Sequence, residues 1–206
     1  MFGRAYVVMD RLPGVTLNEL AYRRPEIIED NRVTISYQLG MHAGFAFVFG
    51  AKDGYQTNYI FDSVSKILTR IDKESFLEVP DEPRNTLSDD DRYTQEIAAC
   101  ELSNLKYIPA FRDSETRPKI IYAFRQGFID KYADIKYKKD DLIGLVMESR
   151  GTWLKLKPES DPGEYEGETR KLIEKVSEMI DLEPEAVFDR LMKAKIEVDA
   201  GRYRRR

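Results

Sequence analysis

The sequence predicts an α+β, predominantly helical fold with a small β-hairpin, and three observations lead there. Residues 31–49 and 117–135 each place apolar side chains at helical spacing over several turns. Two short β-branched runs, YIF and KILTRI, flank the turn DSVS in the manner of a hairpin. The composition is that of a folded chain, since 42% of its 206 residues are hydrophobic and Gly and Pro are modest in number.

In chain order, AYVVMD has the character of a short buried strand, which the Pro-Gly turn of RLPGVTL ends. Thr16 then opens a helix, TLNELAYRR. Residues 31–49 form a central, largely buried helix on which Val33, Tyr37, Met41, Phe45 and Phe49 recur, while Gly40, Ala43 and Gly44 leave room for a close neighbour. The loop AKDGYQTN leads into the hairpin. Residues 78–95 are rich in Pro, Asp and turn formers and read as a long acidic loop, with a helix resuming near Thr94.

RPKIIYAFRQGFIDKYADI puts Ile121, Phe124, Phe128, Ile129 and Tyr132 on one stripe, opposite charges, as an amphipathic helix does. DDLIGLVMESRG is a shorter one. A loop containing Pro158, Pro162, Gly163 and Gly167 precedes a C-terminal helical pair, whose second member is opened by Pro184 in its first turn. Residues 1–157 are therefore expected to form the body. Residues 158–206 are expected to be a linker and a helical pair packed on it.

Composition excludes several chemistries. Cys100 and His42 are the only cysteine and histidine, so an internal disulfide, a Cys-rich zinc site and a His dyad are ruled out. Cys100 reads as a small core residue and His42 as a satisfied, half-buried one. The net charge of −4 gives no general signal for nucleic acid, and the basic tail GRYRRR reads as a solvated terminus. MFGRAYVVMDR breaks into charge too early for a signal peptide, and no apolar run approaches the roughly 20 residues of a membrane span, so a cytoplasmic location is expected.

What remains for chemistry is a set of oxygen-bearing side chains around the hairpin. Asp53 and Asn58 lie in the loop before it and Asp72 directly after it. Each has an ordinary reading: Asp53-Gly54 is a favourable turn pair, Asn58 caps a turn, and Asp72 ends a strand facing Arg70 or Lys73 in solvent. Their order, behind a strand with a Pro-Gly turn and a long apolar helix ending in Gly50, resembles the C-terminal lobe of the protein-kinase-like fold. The resemblance is to the phosphatidylinositol 3- and 4-kinase branch. There the loop reads G-x-x-D-R-H-x-x-N and a hydrophobic-I-D-F-G segment follows a short hairpin; here Gly50, Asp53 and Asn58 keep the first spacing, and Ile71 and Asp72 stand for the second.

The resemblance covers roughly residues 5–80 and implies a kinase-like C-lobe over residues 1–157. It implies ATP and Mg²⁺ as cofactors, with Asp53 orienting the acceptor hydroxyl, Asn58 and Asp72 holding the metal, and the backbone of Val8, Met9 and Asp10 facing the adenine. Met41, Phe61 or Ile71 are candidates for the floor of that pocket.

The pattern also departs from the family. Gly54 and Tyr55 replace its Arg and His, and Lys73 and Glu74 replace its Phe-Gly. No Gly-rich loop or phosphate-binding Lys precedes the hinge-like strand, so three expectations stand: an N-lobe supplied by a separate partner, a non-catalytic interaction module of pseudokinase type, or a fragment of a longer protein. The acidic segment after Asp72 disfavours a phosphoinositide substrate and suits a protein or a small neutral or cationic hydroxyl compound. A third reading, outside the family, has the terminal helical pair and basic tail docking a partner.

Overall fold

In the computed structural model, residues 12–51, 54–71, 92–156 and 162–201 are described. The predicted strand at 5–10, most of the acidic loop and all but the first residue of the basic tail lie outside them. The described residues are predominantly helical, with one three-stranded antiparallel sheet.

The chain enters through β1 (Val15–Thr16), and Thr16 caps α1 (Leu17–Arg23) by accepting the Glu19 amide on Oγ1 at 3.2 Å. Glu19, three residues into the T-x-x-E pattern, also pairs with Arg23 one turn on. Pro25 then opens α2 (Pro25–Phe49), six residues earlier than the apolar run suggests, because proline suits the first position of a helix where no amide donor is required. Gly50 ends it in the left-handed region at φ 63°, donating its amide to the Ala46 carbonyl.

Helix α2 is central, as its composition predicts, but its buried face is not the expected stripe. Ile28, Ile35, Leu39, Ala43 and Phe47 are buried, whereas Val33 is 50% exposed and Tyr37, Met41 and Phe45 are half-buried. A helix contacted on several sides is apolar around most of its circumference, so several stripes fit the sequence equally well. The small residues serve α5 (Arg117–Tyr137). A Cβ on Gly40 would overlap the Phe124 carbonyl, and one on Gly127 would overlap the Tyr37 carbonyl, so the two backbones touch there. Ser36 Oγ adds a buried bond to the Ile120 carbonyl at 2.7 Å.

On α5 the phase shifts by one residue at its start. Ile120 is buried and Ile121 only half so, while Phe124, Phe128 and Tyr132 are buried as the stripe predicts. Before α5 come α3 (Arg92–Glu101), α4 (Asn104–Tyr107) and a 3-10 turn, Pro109–Phe111. After it come α6 (Lys139–Leu156), α7 (Pro162–Asp181) and α8 (Pro184–Asp199). Gly163 and Gly167 lie inside α7, not in the predicted loop. The buried side chains of Val176, Met179 and Ile180 further along stabilise the helix by more than the ~1 kcal/mol each glycine costs.

The C-terminal pair shares the core of the body. Phe188 of α8 meets Phe128 edge-on at 5.5 Å between centroids, and the Tyr132 hydroxyl donates to the Met179 carbonyl on α7. Among the described residues no helix is long and apolar enough to cross a membrane.

Candidate functional site

The hairpin predicted from the YIF and KILTRI runs is present as β2 (Tyr59–Asp62) and β3 (Ile67–Arg70), with β1 added on the far side of β2 in the order β1-β2-β3. Alternation divides its side chains cleanly. Tyr59, Phe61, Leu68 and Arg70 are buried against the helices, while Ile60, Asp62, Ile67, Thr69 and Ile71 belong to the outer face. The backbone of β3 opposite β2 does not form an open edge. Gln38 Nε2 donates to the Lys66 carbonyl at 2.7 Å, the Leu68 amide donates to Gln38 Oε1 at 2.8 Å, and His42 Nε2 lies 3.1 Å from the Leu68 carbonyl oxygen. His42 also stacks obliquely on Tyr59, with ring centroids 5.3 Å apart. The lone histidine is thus a satisfied residue holding the hairpin to α2.

Asn58 closes a 3-10 turn, Gln56–Asn58, in which its amide donates to the Tyr55 carbonyl at 2.8 Å. The Ile71 amide in turn donates to the Asn58 carbonyl at 3.0 Å, extending the Tyr59 to Arg70 register by one pair. Position 71, the neighbour of Asp72 in the chain, is therefore fixed opposite Asn58. The Asn58 amide side chain is half-buried, and its Oδ1 accepts a bond from Thr57 Oγ1 at 3.3 Å. Asp53, Asp72, Val8, Met9 and Asp10 lie outside the described residues. Asn58 is the one member of the predicted site within them, and no three His, Cys, Asp or Glu side chains gather among the described residues.

Of the candidate pocket-floor residues, Ile71 is 47% exposed on the outer face, beside Thr69 and diagonal to the half-buried Ile60 that pairs with Thr69. Phe61 is not available to such a floor: it is 1% exposed and faces the core. Met41 lines a different groove, of about 290 Å³, behind β3 with His42, Phe45 and Lys131. The one-residue alternation of β2 makes Ile60, and not Phe61, the outward neighbour of Ile71.

Beneath the loop lies a polar cluster that the sequence does not announce. Arg70 NH1 meets Glu101 Oε1 at 3.1 Å, and both side chains are 1% exposed. The Tyr59 hydroxyl donates to Glu101 Oε2 at 2.8 Å. Burial first, and then the Glu101 carboxylate, push this phenol well above its ordinary pKa, so it stays protonated and remains a donor. Arg70 NH2 reaches the Ala51 carbonyl at 3.3 Å, and Asn104 Nδ2 donates to the Gly54 carbonyl at 2.6 Å. A Cβ at position 54 would overlap the Glu101 carboxylate where its bonds to Arg70 and Tyr59 hold it, so a larger residue there would have to displace Glu101. The Arg70 side chain is thus buried and not in solvent.

Cys100 is half-buried on α3, with its Sγ 3.5 Å from the Tyr55 hydroxyl. Tyr55, which stands where the resembled pattern has His, is 36% exposed. Two signals pointed toward the buried cluster. Arg70 falls on the inward phase of a strand otherwise lined by Leu68, and Glu101 interrupts the apolar run IAACELSNL. Neither reveals the partner.

A scan against protein-family models matches none, and searches of curated proteins and of solved structures find no match.

Proposed function

We propose that this chain is a kinase-like lobe that acts in ATP- and Mg²⁺-dependent phosphoryl transfer together with a strand-rich N-lobe from elsewhere. The observation that carries the reading is the bond from the Ile71 amide to the Asn58 carbonyl. It brings the start of the segment bearing Asp72 opposite the one predicted ligand that is described.

The Asn58 side chain fits a magnesium ion in kind: its amide oxygen is a hard, neutral donor on a half-exposed side chain. Together with the Asp72 carboxylate it would hold the ion, whose charge offsets the negative charge spread over a transferring phosphoryl group. Asp53 would accept a hydrogen bond from the acceptor hydroxyl and aim it. The outer sheet face, with Ile60, Thr69 and Ile71, offers a floor for the base, and by the resemblance the backbone of Val8, Met9 and Asp10 would face the adenine. The acidic residues after Asp72 favour a protein or a small neutral or cationic hydroxyl compound over a phosphoinositide.

One observation favours a second reading, a non-catalytic kinase-like interaction module: the Glu101 carboxylate leaves no room for the Arg that the resembled pattern carries at position 54. The two readings separate on one experiment. The chain together with its co-purifying partner, Mg²⁺ and ATP should turn the nucleotide over, and Asp72→Ala should abolish this. Turnover absent from the wild type in the presence of its co-purifying partner would leave the second reading in place.

A further inference from the structure

The stretch between Ala51 and Gly54 is gripped at both ends by side chains remote from it in sequence. Arg70 of β3 holds the Ala51 carbonyl, Asn104 holds the Gly54 carbonyl, and Glu101 both pairs with Arg70 and packs where a side chain at 54 would stand. Arg70 lies two residues before Asp72, so one guanidinium touches the loop that carries Asp53 and belongs to the strand that leads to Asp72.

Stability alone does not account for such a cluster. An apolar replacement of a buried ion pair is often as stable or more so, whereas a satisfied buried polar network fixes one arrangement of the segments it joins. Among the described residues the bonds of the cluster join the loop and the hairpin to α3 and α4. Gly54 matters to the same point. The cation that the resembled pattern sets after the catalytic Asp cannot be housed on the loop, and a guanidinium arrives instead from β3.

We propose that Glu101, acting through Arg70 and beside Asn104, is a positioning residue: it sets the loop bearing Asp53 in register with the strand bearing Asp72. The proposal rests on the phosphoryl-transfer reading for its purpose, while the register itself is measured separately. The role is indirect, through backbone carbonyls and without contact to substrate.

The test replaces the cluster by apolar groups of similar size in the full chain, Arg70→Met/Glu101→Leu/Tyr59→Phe, so that no buried charge or hydroxyl is orphaned. Amide exchange over residues 51–58 is expected to rise about tenfold or more while α2 and α5 keep their protection. In the turnover assay kcat is expected to fall about 100-fold, the scale of a roughly 1 Å misplacement, with KM for ATP little changed. A folded triple variant with wild-type exchange in the loop and wild-type kcat would overturn the proposal. Should the triple variant not fold, Glu101→Gln, which keeps the shape and removes the charge, decides by the same two readouts. A wild-type chain without turnover even beside its co-purifying partner would sink the phosphoryl-transfer reading alone, and the exchange arm would still decide whether Glu101 sets the loop.

Discussion

Arg70 and Glu101, on a strand and a helix separated by 31 positions, form an ion pair at 3.1 Å with both side chains withdrawn from water. Because the carboxylate also receives the Tyr59 hydroxyl, its removal takes an ion-pair partner from the guanidinium and the acceptor from the phenol. Glu101→Ala is therefore expected to lower unfolding stability by about 3–5 kcal/mol, the scale of breaking a buried ion pair by removing one partner. Urea unfolding followed by circular dichroism measures it, and a loss below about 1 kcal/mol, the scale of an exposed pair, would show that the side chains are solvated.

The contact between α2 and α5 makes an opposite pair of glycine predictions. Gly40→Ala or Gly127→Ala places a methyl against a backbone carbonyl that cannot step aside without separating the helices. Each is expected to cost about 1–3 kcal/mol or more. Gly144→Ala on α6 meets nothing within 4 Å and is expected to stabilise by about 0.5–1 kcal/mol through helix propensity. Thermal midpoints of the three variants, compared with the wild type, check the signs.

Gln38 substitutes for a missing strand. Its amide both donates to the Lys66 carbonyl and accepts from the Leu68 amide, closing part of the β3 edge. Gln38→Ala is expected to cost about 1–3 kcal/mol and to speed hydrogen exchange at the Leu68 amide. Unchanged exchange at that amide would mean that the edge is protected by something else.

Asp62 sets the acid limb of the hairpin. The Ser65 hydroxyl donates to its Oδ2 at 2.6 Å and the Val64 amide to its Oδ1 at 3.0 Å, and these bonds hold its pKa below the ordinary aspartate value. A folded-state pKa below the unfolded one makes the contribution full above about pH 3.9 and lost as pH falls through the lower folded value. The gap in urea midpoint between wild type and Asp62→Ala should be constant from about pH 5 to 7 and narrow at more acidic pH. A gap that widens on acidification would reverse the assignment.

Local chemistry made part of this architecture legible. Thr16 before L-N-E, Pro184 before an apolar run, and two β-branched runs around DSVS each specify their element through nearest neighbours, and each is found in place. Phase is where the reading slipped. Val33 on α2 and Ile121 on α5 belong to apolar stripes as good as the buried ones, and only the partner helix selects among them. Strand β1 is two residues long and carries no period; it exists because Val15 and Thr16 pair with Phe61 and Ile60. The same holds at the site. The turn at Asn58 is readable from its residue types, whereas Glu101 gains its meaning only when the fold brings it beside Gly54 and Arg70.

The central claim is that Asn58 and the segment that continues from Ile71 would hold one divalent cation together with nucleotide. Paramagnetic broadening tests it most directly: Mn²⁺ is titrated into isotope-labelled protein with ATP, and amide and side-chain signals are followed residue by residue. The account predicts early, selective loss of the Asn58 side-chain amide and the Ile71 backbone amide, abolished in Asp72→Asn, with α6 and α8 unaffected. Uniform broadening, or loss centred away from the hairpin, would contradict it.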